Sequence, residues 1–545
     1  MPGICLPALK DTINESELFN FINETQDVIV PIGIYDDPEE QKQDNFCINL
    51  TESNSLIVGS SMSGKTTMLQ TVLLQLMEKY SPKDVNVYII DCGNMALKVF
   101  EKSNIVGGIA LCSEEEKVIN LFKMLFAILE ERKETLAKKD LGTYKAYKEA
   151  GYGDMPQIVL MIDNFAVFKE YYENLTDDFL TLSREGTSLG VSIIVTATQT
   201  NAMNYKAISN YSTKIAYSCN DTNEYMNMFD RCRIEPKEVP GRGLCVVDKK
   251  ILEFQTALCV AGDKEYIRVD NIKEKIAGCN KKYSSEKANE IPVVPSIISF
   301  DDVKNNKQLY CNNYEIPIGI NYSNVKYQVI DLLKLGLLIS IGREKSGQTN
   351  FLKLLLASIQ NNVFGSYTKA YVFDNVERNL EKTSEYGFVN KYSVDLMELE
   401  QVLVEIENEL VERKERITND NEFSLEKEPL ILLVIENTSF VDYIQNNKDL
   451  SSKLCKLIKQ YKKYRFAVVV SDFTNEAIPF SASEFLKFVK DNRNFILFDD
   501  LSECKVFDVN IKQIKQNAKP LDVGDAFICT NTEVQRIKTI FMGGI

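Results

Sequence analysis

The sequence predicts an α/β protein of two tandem domains of one fold, each a mainly parallel sheet flanked by helices. Three observations carry this reading. Short apolar runs alternate with amphipathic, helix-like stretches. A glycine-rich loop follows one such run and opens one such stretch. The whole arrangement, loop included, recurs between 273 and 286 residues later in the same order.

The first shared segment is Pro31-Ile32-Gly33-Ile34, which returns as Pro317-Ile318-Gly319-Ile320. Next comes the loop. Leu56-Ile57-Val58 leads into Gly59-Ser60-Ser61-Met62-Ser63-Gly64-Lys65-Thr66, and a helix-like stretch runs from Thr67 to Lys79. Glycines at these spacings let several backbone N–H groups face one phosphate, and the helix that follows adds its positive end. The lysine neutralises outer phosphates and the threonine hydroxyl reaches Mg²⁺. Gly59 to Thr67 is therefore the expected phosphate cradle for ATP.

The copy, Gly342-Arg343-Glu344-Lys345-Ser346-Gly347-Gln348-Thr349, follows Leu337 to Ile341. It keeps Gly342, Gly347 and Thr349 but has Gln348 where the lysine stood. The second site has lost the charge that holds phosphates, so weak or no nucleotide binding is expected there.

Val87-Tyr88-Ile89-Ile90-Asp91 pairs with Ala370-Tyr371-Val372-Phe373-Asp374, and Glu131-Arg132-Lys133-Glu134 with Glu412-Arg413-Lys414-Glu415. Val118, Leu121, Phe122, Leu125, Phe126 and Leu129 follow helical spacing and mark one apolar face. Ile158 to Ile162 is continuously apolar, as a central parallel strand should be, and matches Ile431 to Ile435. The last pair is Ser192 to Thr196 with Ala467 to Ser471. The polar, proline-punctuated run 279–300 reads as a linker between domains 1–278 and 301–545.

Asp163 ends its buried strand beside the loop and is the expected Mg²⁺ partner together with Thr66. The following residue is Asn164, which can orient water but cannot take its proton; slow or absent hydrolysis is expected. Thr196-Ala197-Thr198-Gln199 ends the next strand, and Gln199 is a candidate to touch the terminal phosphate or its water. Arg184, Arg231 and Arg242 are candidate arginine fingers, though each reads more readily as a surface or structural arginine. In the second domain Glu436 replaces the aspartate, and Asp472 adds negative charge where phosphates would lie.

Composition narrows the chemistry. With no histidine, Ser-His-Asp and Cys-His catalysis and histidine metal sites are excluded. A net charge of −15 gives no global support for nucleic-acid binding. Thirteen cysteines without a C-x-x-C pair read as reduced, buried thiols. No apolar run is long enough to cross a membrane, and no signal peptide is apparent.

Pro31 to Pro38, the loop, the Asp163 strand, Thr196 to Gln199 and Pro240-Gly241-Arg242-Gly243 together resemble FtsK/SpoIIIE-type ATPases, a RecA-like P-loop fold. Ile4 to Leu9 with Gly33 to Pro38 narrows the resemblance to the type VII secretion ATPases called EssC or EccC. The resemblance implies the last two ATPase domains of a membrane-anchored motor, at the cytoplasmic face of the cell membrane, in a fragment itself soluble. It implies ATP and Mg²⁺ at Lys65, Thr66 and Asp163, and recognition of small helical-hairpin substrates of the WXG type by the second domain. It further implies other ATPase domains of the same motor as partners, a hexamer in full length, and coupling of nucleotide state to recognition and translocation. A DNA translocase or conjugation coupling ATPase is the competing reading, and the acidity of the chain speaks against it.

Overall fold

The computed structural model describes residues 6–229, 231–262, 264–306, 309, 314–362, 367–419, 424–530 and 533–543. Ile4 and Cys5, at the head of the Ile4–Leu9 segment, lie outside them. The chain forms two compact units, Met1–Val293 and Val294–Ile545.

The first unit contains β1 (Ile13–Asn14), β2 (Ile29–Asp37), β3 (Lys42–Asn49), β4 (Ser55–Val58), β5 (Val85–Asp91), β6 (Val106–Leu111), β7 (Gln157–Asp163), β8 (Val191–Ala197), β9 (Thr213–Tyr217), β10 (Arg242–Val247) and β11 (Lys250–Leu258). They make one 11-stranded sheet in the order β3-β2-β11-β10-β9-β4-β8-β7-β5-β6, with β1 beside β11. From β9 to β6 every pairing is parallel. From β9 through β10, β11 and β2 to β3 every pairing is antiparallel. The sheet is thus a parallel core with an antiparallel extension.

Both faces of the core are covered, which is why its strands are apolar throughout. Ile57, Ile89, Val159 and Met161 face helix α1 (Lys65–Lys79), where Leu69, Leu73 and Leu76 are fully buried. Leu56, Tyr88, Leu160 and Ile162 face helix α2 (Glu115–Lys138), where Val118, Leu121, Leu125 and Leu129 are buried and Phe126 partly so. Each fully buried aliphatic side chain contributes about 1.5–3 kcal/mol.

The second unit repeats this plan. Its strands are β12 (Ile298–Ser299), β13 (Glu315–Asn321), β14 (Tyr327–Asp331), β15 (Leu337–Gly342), β16 (Thr368–Phe373), β17 (Val389–Ser393), β18 (Leu430–Glu436), β19 (Phe466–Ser471), β20 (Phe495–Phe498), β21 (Asp525–Thr530) and β22 (Glu533–Phe541). The order is β14-β13-β22-β21-β20-β15-β19-β18-β16-β17, with β12 beside β22, matching the first sheet place for place.

Two of the repeated segments now have physical reasons. A Cβ on Gly33 would stand 2.3 Å from the Gln255 carbonyl oxygen, and one on Gly319 would stand 2.2 Å from that of Lys538. Each glycine sits at a β-bulge where another strand's backbone passes too close for a side chain. The buried Arg132 donates to the carbonyls of Pro156, Leu189 and Gly190, at the starts of β7 and β8. The buried Arg413 does the same for Pro429 and Tyr464, before β18 and β19. These arginines are staples between adjacent central strands.

One expectation is refined and one corrected. The division between the units falls within the run 279–300, but much of that run belongs to the first unit: the helix Glu265–Lys282 continues through its start, and Ala288 and Ile291 donate backbone N–H groups to Asn104 and Gly107. Burial of Ile291 against Gly108 outweighs the polar, proline-rich composition of the run, and the division falls after Val293. The cysteines are not all reduced: Cys92 and Cys112 form a disulfide, with Cα atoms 4.9 Å apart. They follow Asp91 and Leu111, which are in register on neighbouring parallel strands, so the topology sets them side by side.

Candidate nucleotide-binding site

The loop Gly59–Thr66 joins the end of β4 to α1. Gly64 has φ +114°, a conformation that strains any other residue, and the side where a Cβ would stand abuts Gly241. A Cβ on Gly64 would lie 2.8 Å from Gly241 N, which itself donates to Ser63 O at 2.8 Å. Pro240-Gly241 therefore buttresses the loop from the antiparallel extension. The Lys65 ammonium donates to the carbonyls of Gly59 and Ser60, both at 2.7 Å. Burial pulls Lys65 below its ordinary value, and the charge of Asp163 opposes that shift.

A cavity of about 590 Å³ opens here, lined by Lys65, Thr66, Thr67, Asp163, Asn164 and Thr196, among others. Thr66 Oγ1 donates to Asp163 Oδ2 at 3.1 Å. Thr196 Oγ1 donates to the other carboxylate oxygen at 2.5 Å and accepts from Asn164 N. Burial raises the Asp163 carboxyl; the Thr196 hydrogen bond opposes this and the neighbouring Asp91 adds to it. Asn164 has φ +68°, a left-handed conformation that asparagine tolerates better than most residues.

Of the residues singled out from sequence, Lys65, Thr66, Thr67, Asp163 and Asn164 meet around one cavity. Gln199 does not: it is exposed past the cavity lining, and the polar groups that β8 presents are Thr196 and Thr198. Arg242 is buried and consumed by Gln255, Glu253 and the carbonyls of Leu9 and Lys10, so it pins the segment that carries Asp11 into the lining. Arg184 is exposed and pairs with Glu185; Arg231 is exposed.

Sequence reasoning passed over Asp91. It is nearly fully buried, is in register with Asp163, and its Oδ2 has no hydrogen-bond partner among the described residues. The signal was present, since Asp91 and Asp374 end one of the repeated segments.

In the second unit the loop lies in the same place, between β15 and the helix Gln348–Asn361, and Gly347 has φ +123°. Gln348 is satisfied internally: its Oε1 accepts from Ser340 Oγ and Asp472 N, and its Nε2 donates to Gly342 O. Thr349 donates to Glu436 Oε1 at 2.6 Å. Burial, helped by Asp374 and Asp472, pushes Glu436 up to about 7. Arg343 is held by Asp499. Gln348 stands where Lys65 does, and its amide nitrogen faces the Asp472 carboxylate.

Comparisons with known proteins agree with this geometry. Residues 19–211 match the FtsK/SpoIIIE family. The first unit carries an FtsK/SpoIIIE family domain. Along the chain, similarity extends to type VII secretion proteins: 25% identity over 90% of the chain to the ESX secretion system protein EccC of Geobacillus thermodenitrificans, and 25% over 86% to YukB of Bacillus subtilis. The chain spans about a third of the length of these curated relatives. In fold it resembles ATPases 2 and 3 of Geobacillus thermodenitrificans EssC, with TM-score 0.84 and 23% identity, covering 98% of this chain and 100% of that one. It also resembles ATPases 2 and 3 of Thermomonospora curvata EccC in complex with a signal sequence peptide, with TM-score 0.67 and 17% identity, covering 99% and 97%. The tandem P-loop fold is therefore common to this chain and these solved structures, and the FtsK/SpoIIIE match lies in the first unit. Among the described residues no helix is long and apolar enough to cross a membrane.

Proposed function

We propose that this chain is the ATP-binding C-terminal segment of a type VII protein secretion motor. The first unit holds Mg²⁺-ATP and the second docks small helical-hairpin substrates of the WXG type. The observation that carries the reading is the contrast between the loops. Lys65 and Thr66 border an open cavity beside Asp163, whereas Gln348 and Thr349 are bonded to the second unit's own Ser340, Asp472 and Glu436.

The donor set fits Mg²⁺: a hydroxyl and a carboxylate oxygen lie 3.1 Å apart at the foot of the loop. When bound, the cation would neutralise phosphate charge, and Thr66 and Asp163 would hold it. Lys65 supplies the second positive charge. Asn164 can orient a water but cannot take its proton, so this site favours holding ATP over turning it over. Arg184 and Arg231, both exposed, are the candidates to reach a neighbouring subunit in a hexameric, membrane-associated motor.

The docking reading rests on two supports. A structurally similar protein is described with a signal sequence peptide bound. The second unit also has a cavity of about 650 Å³ lined by Phe495, Phe507, Val509, Ile511 and Val534, with Ile511 well exposed. The test is to titrate the whole chain with a helical-hairpin cargo peptide, with and without ATP. Saturable binding that changes with ATP and weakens in Ile511→Asp supports the reading. ATP hydrolysis stimulated by double-stranded DNA, with no peptide binding, would overturn it.

A further inference from the structure

We propose that Asp91 is a second carboxylate of the divalent-cation site in the first unit, acting beside Asp163 on the cation or its water shell. The inference rests on the proposed Mg²⁺-nucleotide reading of that site and names a residue that reading does not use.

The register places it there. Asp91 and Asp163 are Cα partners on the parallel strands β5 and β7, so their side chains leave the same face at the same level. Asp91 Oδ1 accepts from Gly93 N at 2.9 Å, while Oδ2 is buried and takes no donor. A buried carboxylate oxygen without a donor is costly, and structures keep such a group where something else satisfies it.

The gap beside it is kept open. A Cβ on Gly93 would stand 3.0 Å from Asp163 Oδ2 and 3.4 Å from Asp91 Oδ1. Glycine at 93 thus keeps a side chain away from Asp163 Oδ2 and Asp91 Oδ1, and Gly93 lines the nucleotide cavity together with Asp163, with Asp91 directly behind them. Two buried carboxylates facing one space repel each other until positive charge enters it. Lys65 supplies only part of that charge: it acts on Asp163 through space, while its ammonium bonds the carbonyls of Gly59 and Ser60.

The second unit provides an internal control. Asp374 ends β16 as Asp91 ends β5, and it is fully buried. Its Oδ1 accepts from Asn375 N, and its Oδ2 accepts from both Leu380 N and Tyr392 Oη. The same aspartate is therefore closed off by donors in the unit that lost the loop lysine, and left with an open oxygen in the unit that kept it.

The experiment measures ATPγS affinity of the whole chain with Mn²⁺ and with EDTA, and reads the ratio. Asp91→Asn keeps the shape and the Gly93 contact but removes the charge. The ratio is expected to fall about 10-fold or more, the usual effect of removing a supporting group from a metal site. Gly93→Ala leaves both carboxylates in place and fills the gap; it is expected to lower the ratio likewise, and it decides the matter if Asp91→Asn does not fold. A wild-type ratio retained in the folded variants, while Thr66→Ala lowers it, overturns the role of Asp91 alone. Absence of ATPγS binding to the wild type in either condition overturns the underlying reading as well.

Discussion

Thr196 Oγ1 donates to Asp163 Oδ1 at 2.5 Å and accepts from the backbone N–H of Asn164 at 2.9 Å. One hydroxyl on β8 thus fixes both the carboxylate that ends β7 and the turn that follows it. Thr196→Val keeps the shape and removes both bonds. The partly buried Asn164 N–H is left without its acceptor, and the first unit should lose about 1–3 kcal/mol. The Asp163 carboxyl, which keeps the Thr66 hydrogen bond on Oδ2 but loses the Thr196 donor on Oδ1, should support cation-dependent nucleotide binding about 10-fold less well. Urea unfolding and ATPγS titration with Mn²⁺ check the two effects; a variant indistinguishable from wild type in both would show that Thr196 only fills space.

The chain should bind one nucleotide, not two. Lys65→Ala removes a charge-assisted contact and should weaken binding by about 10- to 100-fold. Restoring the lysine by Gln348→Lys should not create a second site. A lysine there meets Asp472, which the Gln348 amide already contacts, and is neutralised by it before any phosphate arrives. Calorimetric stoichiometry checks this: one site in wild type and in Gln348→Lys, and a lost or much weakened site in Lys65→Ala. A stoichiometry of two in the wild type would sink the idea.

How much of this could be read from sequence depends on whether the signal was local. The loop, its helix and the ends of β7 and β18 were legible because glycine spacing and continuous apolar runs are local signals, and the repeat placed the second domain beside the first. The antiparallel extension was not legible. Its strands meet across distant parts of the chain: β2 pairs with β11, over 200 residues later. Gln199 was singled out because it closes a polar tetrapeptide, but which side chain of that segment meets Asp163 is set by the β7–β8 register, and the register selects Thr196. Asp91 was visible only as the end of a repeated strand, since an unpartnered oxygen is a property of packing. Cys92 and Cys112 lie 20 residues apart with no spacing motif, and only the pairing of β5 with β6 brings them together.

The second unit should be more stable in mild acid than at neutral pH. Burial raises Glu436 from an ordinary 4.5 to about 7. Between these values the native state holds a proton that the unfolded chain has released, so stability falls as pH rises through this window and levels off above about 7. The slope is at most about 1.4 kcal/mol per pH unit for one group. Asp472, also raised by burial and by Glu344, adds to the trend at the acid end. Glu436→Gln keeps an acceptor for Thr349 and removes the charge, so it should flatten the curve and raise stability at pH 8. Unfolding midpoints from pH 5 to 8 measure this; parallel curves for wild type and variant would mean that Glu436 is not the group responsible.

The Cys92–Cys112 bridge should stabilise the first unit and leave the second alone. It closes a loop with a sequence separation of 20, for which the chain-entropy model gives about 3 kcal/mol. The closed segment runs from the end of β5 to the end of β6, entirely within the unit Met1–Val293. Backbone bonds hold the same place without it: Cys92 N donates to Asp163 O, and Cys112 N to Asp91 O. Reduction should therefore lower the denaturant midpoint of the first unit without abolishing its fold. Cys92→Ser under oxidising conditions should reproduce the reduced wild type, and adding reductant should change it no further. Thiol titration of the denatured wild type should find two more thiols after reduction than before. Equal thiol counts before and after reduction, with superimposable unfolding curves, would mean that the two cysteines sit side by side without bonding.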